Sequence, residues 1–135
     1  MSELETHERG DFNAVVARVR AGVPVSEAAE VMRSWSIPIG EFAVVLGVSE
    51  DEWRQAQVAR AERVLSPVES DRLVRVTQVL EHARAVFDSE QEAAAWLAMP
   101  NPSLSGTSPM AWLDTDAGVH CVDDVLTRLE FGVYA

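Results

Sequence analysis

The residue types able to carry acid–base, nucleophilic or metal chemistry are few in this 135-residue chain, and their spacing does not suit it. There are three histidines, His7, His82 and His120, and one cysteine, Cys121. His120 and Cys121 are neighbours, so on a helix their side chains diverge by about 100° and cannot close on one ion. Asp123 and Asp124 diverge in the same way, which makes them a charged helix face rather than a proton-sharing pair. No glycine-rich phosphate loop occurs, and no serine or cysteine motif has a matching base. Four tryptophans could form a ligand cage, but Trp96 and Trp112 fall on apolar helix faces and are expected in the core. The sequence therefore predicts no enzyme, no cofactor and no metal site.

What remains is a shape. Trp96 and Leu97 end an apolar helix, and Pro100 and Pro102 forbid its continuation, because proline lacks an amide donor and clashes with the preceding turn. Leu104 then stands alone in a polar loop and must dock on something. Gly106 permits a turn closed to other residues, and Thr107 or Ser108 can cap a new helix with Pro109 at its start. This rigid corner reads as part of a protein-binding surface.

Composition narrows the partners. With 47% hydrophobic residues the chain can bury a core, and no run of about 18 apolar residues could span a membrane. The acidic start, Met1 to Glu8, is the opposite of a secretion signal. With one cysteine, a cytoplasmic location is expected. The 22 acids face 11 arginines and no lysine, for a net charge of −11. Residues 1–66 carry 7 arginines and 11 acids, and residues 67–135 carry 4 and 11. Nucleic-acid binders usually show a basic balance, so proteins with basic surfaces fit better.

The elements that must position the corner are all helical. Residues 1–10 lack an apolar period and are expected to be flexible. Asp11 can cap a helix to Ala21 whose stripe is Phe12, Val15, Val16 and Val19. Ser26 starts a second helix. From Ile39 to Trp53 the pattern is a helix-turn-helix: Ala43 is small, Gly47 takes the left-handed turn, and Val48 buries beneath it. Ser49 with Glu52 forms a capping box. Ser66-Pro67-Val68-Glu69 is a second box opening a long helix to Phe87. Its apolar face runs from Val68 through Leu73, Val76 and Ala83, and Arg72 and Arg75, on the charged face, either contact a partner or, the preferred reading, form same-helix ion pairs on a solvated face. Ser89 with Glu92 is a third box. Asp116 can cap the last helix, Ala117 to Phe131, which Gly132 ends.

The helix-turn-helix admits two readings. A DNA reader would use the N-terminal end of its second helix, with Ser49, Arg54, Gln55, Arg60 and Arg63 as candidate contacts. Yet Glu50, Asp51 and Glu52 occupy that end, where phosphates repel them. The other reading is a turn used for packing or dimerisation.

From Ser66 onward the sequence resembles the Xre/MbcA/ParS antitoxin family, in its C-terminal toxin-binding domain. The residues that carry the likeness are Leu65-Ser66-Pro67, Ser70-Asp71-Arg72-Leu73, Ala83 with Val86-Phe87, Ala95-Trp96-Leu97, Pro100-Asn101-Pro102, Leu104, Gly106, Thr107 and Pro109. Gly118, Val122, Leu126, Arg128, Leu129 and the ending Gly132-Val133-Tyr134-Ala135 complete it. The preceding helix-turn-helix is similar to the family's Xre-like domain. The resemblance implies an all-α chain: an Xre-like domain over 11–65, joined by a long helix to a toxin-binding domain over 66–135. It also implies a partner, a RES-domain toxin that consumes NAD or transfers ADP-ribose from it, whose NAD cleft the antitoxin covers. Carried over, the contact surface is Trp96, Asn101, Leu104, Gly106, Arg128, Gly132, Val133 and Tyr134. Arg128 and Tyr134 make direct contact, while Trp96 and Leu104 shape the corner from within. A homodimer, and binding to the chain's own promoter DNA, are implied as well. The sequence departs from the family where Glu52-Trp53-Arg54-Gln55-Ala56 replaces a run that ends in paired arginines.

Overall fold

In the computed structural model, which describes the backbone from Glu3 to Gly132 and the side chains from Phe12 to Gly132, with the exception of Arg60, the capping boxes set the helix starts. Ser49 accepts from the Glu52 amide and Glu52 reaches back to the Ser49 amide, opening α4 (Glu50–Val58). Ser66 and Glu69 repeat this at α5 (Pro67–Phe87), with Pro67 in the first turn. Each box satisfies two amides that a helix end leaves unpaired. At α6 (Glu90–Ala98) only half of the box forms: Ser89 accepts from the Glu92 amide.

Other starts differ from expectation. α1 spans Glu3–Ala21, so Asp11 lies inside the helix rather than capping it, and residues 3–10, expected to be flexible, have helical backbone. α2 (Val25–Ser34) begins one residue before Ser26, behind Pro24. The Val25 amide is satisfied by the Arg63 carbonyl at 2.9 Å, so no side-chain cap is needed. α7 (Asp116–Glu130) is capped by Thr115, which accepts from the Gly118 amide at 3.0 Å. Asp116, the expected cap, is instead the first helical residue and pairs with Arg75. The Pro109–Trp112 and Pro102–Leu104 segments are short 3-10 turns. No strand forms among the described residues.

The helix-turn-helix closes as its sequence requires. α3 (Ile39–Leu46) ends on Gly47 at φ +79°, whose amide donates to the Ala43 carbonyl at 2.9 Å. Arg72 reaches across from α5 and donates to the Leu46 carbonyl at 3.0 Å. A Cβ at position 47 would stand 1.7 Å from an Arg72 nitrogen, so glycine is needed there twice over. Arg72 is therefore a cap on the helix-turn-helix, not part of a solvated face. Val48 is half-buried against the core.

Among the described residues one core runs from Val23 to Leu126, with α5 as its spine. α5 packs against α1, α3, α6 and α7. Its Leu73, Val76, Val79, Leu80 and Ala83 are buried, whereas Val68, expected on that face, is exposed at the first turn. Ser70 is wholly buried; its hydroxyl accepts from the Val23 amide at 2.8 Å and donates to the Leu65 carbonyl, tying the α1–α2 link to the start of the spine. The largest departure is the α1 stripe. Phe12, Val15 and Val16 are exposed, and only Val19 is half-buried.

Candidate protein-binding site

The corner is held by its own backbone. α6 stops at Ala98 and the chain turns extended through Met99. The Asn101 amide donates to the Thr107 carbonyl, and the Asn101 carbonyl accepts from Gly106, both at 2.9 Å. The Asn101 side chain accepts from the Ser103 amide, also at 2.9 Å. Thr107 donates from its hydroxyl to the Leu104 carbonyl at 2.7 Å and accepts from the Trp112 indole. These bonds pin Leu104 inward, 2% exposed. Ser105 and Gly106 stand outward at positive φ, and nothing lies within 4 Å of where a Gly106 Cβ would be. Trp96 is half-buried with its ring 5.5 Å from Phe87. Trp96 and Leu104 thus shape the corner from within, and Asn101 braces it. Of these four expected contact residues, Gly106 is the one the structure leaves exposed at the tip.

α7 runs parallel to the spine. Arg75 pairs with Asp116 and His82 with Asp123, a constant offset that fixes the direction. The 3-10 turn that carries Leu104 packs on α7, so corner and helix form one unit. Gly118 allows the entry to this helix: a Cβ there would sit 1.7 Å from the Trp112 carbonyl oxygen. His82 clamps two turns of α7 at once, with Nδ1 2.6 Å from Asp123 and Nε2 3.0 Å from Glu130. Burial opposes its charge, but the hydrogen bonds and negative charges of the two carboxylates outweigh that and raise its pKa above the ordinary histidine value.

The clamp delivers an exposed end. Val122, Val125 and Leu126 are buried, but Arg128 is exposed and pairs with no other described residue, and Gly132 turns at φ +73°. Phe131 is 76% exposed. It is absent from the contact residues expected from the sequence, and it stands nine residues after Val122, about 180° around the helix from the buried stripe. Val133 and Tyr134 lie outside the described residues.

The other candidate surface is separate and differently charged. Ser49, Arg54, Gln55 and Arg63 are exposed, and Arg60 lies outside the described residues. Glu50, Asp51 and Glu52 form the first turn of α4, and Arg54 pairs with Glu50 at 2.7 Å. Trp53, where the family pattern is broken, is buried against Phe42, with ring centres 5.4 Å apart, and its indole donates to the Met32 sulfur at 3.3 Å. It fills the core and leaves the outer face of α4 to its neighbours. No group of three or more histidine, cysteine or carboxylate side chains among the described residues could hold a metal ion. No helix among them is long and apolar enough to cross a membrane.

A helix-turn-helix joined through a long helix to a small helical domain defines a class of two-part, all-α binding proteins. Two family models match. The antitoxin Xre-like helix-turn-helix domain covers residues 14–77, and the antitoxin Xre/MbcA/ParS C-terminal toxin-binding domain covers residues 82–132. The two matches meet within α5. Curated relatives carry the name Antitoxin Xre. The one from Pseudomonas putida is 29% identical over 103 residues, 73% of this chain and 65% of the relative, just under two thirds of its length. Those from Yersinia enterocolitica and Photorhabdus laumondii are 26% and 24% identical, over 90% and 87% of this chain and 81% and 78% of the relatives. The chain belongs to the Xre/MbcA/ParS family of antitoxins.

Proposed function

We propose that this chain neutralises a RES-domain toxin by covering its NAD-binding cleft with the corner and the end of α7. The observation that supports this most is the pairing of an exposed arginine and an exposed phenylalanine, Arg128 and Phe131, at the end of a helix clamped to the spine. An arginine that pairs with no other described residue suits a carboxylate or carbonyl in a cleft, and an aromatic beside it supplies apolar contact area. Val133 and Tyr134, which follow Gly132 in the sequence, enter the cleft in this reading. Gly106 and Asn101 present the corner as the second contact. The antitoxin works as a homodimer in a soluble, cytoplasmic toxin–antitoxin complex. Co-expression and co-purification with a RES-domain toxin tests the reading. Arg128→Glu with residues 133–135 removed should lose the complex while retaining its helical spectrum. Full inhibition by that variant would contradict the assigned surface.

A second role rests on the intact, capped turn at Gly47 and the exposed Ser49, Arg54 and Gln55: the chain binds its own promoter. The acidic first turn of α4 works against it, because phosphate neutralisation supplies most of the affinity. A salt titration decides. A promoter complex that weakens steeply with salt supports the role, and weak binding with no salt dependence removes it.

A further inference from the structure

α3 and the Pro109–Trp112 turn stand on either side of a groove that lies between the two parts of the chain. The α3 wall is two pairs of residues four apart, Gly40 with Val44 and Glu41 with Val45, so the groove follows the helix axis. Met110, Ala111 and Asp114 form the opposite wall. Gly40 has no side chain to fill the space, and Val44 stays 59% exposed one turn on, while Val45 and Met110 are buried. Past Glu41 and Met110 the groove continues between Ile37 and Ala98, where α6 gives way to the corner. Its volume of about 250 Å³ lies under the roughly 300–1,000 Å³ of sites that enclose a small ligand, and suits one side chain of a protein partner.

We infer that this groove takes an apolar side chain, flanked by arginine or lysine, from the surface of the toxin, so that α3 of the helix-turn-helix takes part in toxin recognition. Charge selects that chemistry. Glu41 and Asp114 stand exposed on opposite walls, and neither forms an ion pair with another described residue. Arg72 and Arg75 line the next hollow past Asp114, but they are engaged by the Leu46 carbonyl and by Asp71 and Asp116. A carboxylate on each side of an apolar floor draws a basic partner and rejects an acidic one. Residues 67–135, with 4 arginines and 11 acids, add to that field. Continuity selects the toxin as that partner. Met110, Ala111 and Asp114 fall within residues 82–132, matched by the toxin-binding domain, whereas Gly40, Glu41 and Val44 fall within the helix-turn-helix match. A toxin that lies on the first wall meets the second. This contact presupposes the toxin capture proposed above, but not the contact at Arg128 and Phe131.

Calorimetric titration of the full chain with a RES-domain toxin tests this. Val44→Asp should raise the dissociation constant by ~10-fold or more, the scale of one buried valine. Glu41→Arg with Asp114→Arg should weaken capture at low salt, and Glu41→Gln with Asp114→Asn should flatten its salt dependence. All three positions are exposed, so melting should change little. Capture lost in these variants but kept by Arg128→Glu with Phe131→Ala supports the groove and removes the α7 contact. Variants that bind the toxin with wild-type affinity and salt slope overturn the inference and spare the toxin reading. Variants that keep the toxin but lose self-association assign the groove to a second copy, and likewise overturn it. A wild type that captures no RES-domain toxin overturns both.

Discussion

The helices at the two ends of the chain carry the same signal and meet opposite fates. α1 has apolar residues at 12, 15, 16 and 19, and α7 has them at 119, 122, 125, 126 and 129. The α7 stripe is buried on the spine and the α1 stripe faces outward. The difference lies in what the spine offers. Arg75 and His82 stand one flank away from the apolar face of α5 and meet Asp116, Asp123 and Glu130 at the start, middle and end of α7. Among the side chains described in α1, those from Phe12 on, none forms an ion pair with α5; Arg18 pairs with Glu27 of α2 instead. Apolar periodicity states that a face will be buried. The flanking charges state against what.

The comparison breaks most visibly when equivalent apolar side chains are cut back. Leu126→Ala should cost about 2–5 kcal/mol, the range for a truncated core leucine. Val16→Ala should change the stability of the monomer by less than about 0.5 kcal/mol. Chemical denaturation at low protein concentration measures both, and equal costs would erase the contrast.

Next in size is the entry to α7. Gly118→Ala drives a Cβ into the Trp112 carbonyl, and backbone cannot swing away as a side-chain tip can. A loss of about 1–3 kcal/mol is expected. At Gly47 the obstacle is the Arg72 guanidinium. Gly47→Ala should cost about 1–2 kcal/mol from its positive φ and the displaced cap. In an Arg72→Ala background that cost should shrink, and a double-mutant cycle reads the coupling. Additive losses would mean that Arg72 does not hold the turn.

The smallest effect sharpens the account of the clamp. The folded pKa of His82 is raised, so its contribution to stability is complete below the ordinary histidine range and fades as pH rises through the raised value. The groups facing it from α7 are Asp123 and Glu130. His82→Gln should lose about 1 kcal/mol or less at pH 5.5 and nearly nothing at pH 9. Melting profiles across that range check the sign. A loss that grows with pH would contradict the clamp.

Much of this architecture was legible in the residues. Three serine–glutamate pairs marked the starts of α4, α5 and α6. Gly47 marked the turn, and the prolines around Asn101 marked the corner, because each enforces a local backbone geometry. What sequence could not give was long-range. Arg72 looks like a solvated charge until α5 lies against the end of α3. Ser70 looks like a surface serine until two buried backbone groups need it. Thr115 takes the cap, accepting from the Gly118 amide, while Asp116 begins the helix and pairs with Arg75. Phe131 stands opposite the apolar stripe of α7, so periodicity alone assigns it no partner.

The central claim, that the corner and the end of α7 close a cleft that would otherwise hold NAD, is tested most directly by competition. A non-hydrolysable NAD analogue is titrated into the RES-domain toxin, alone and with this chain bound. The account predicts that saturating antitoxin abolishes analogue binding and that Arg128→Glu with Phe131→Ala restores it. Equal binding to the free toxin and to the intact complex would contradict it.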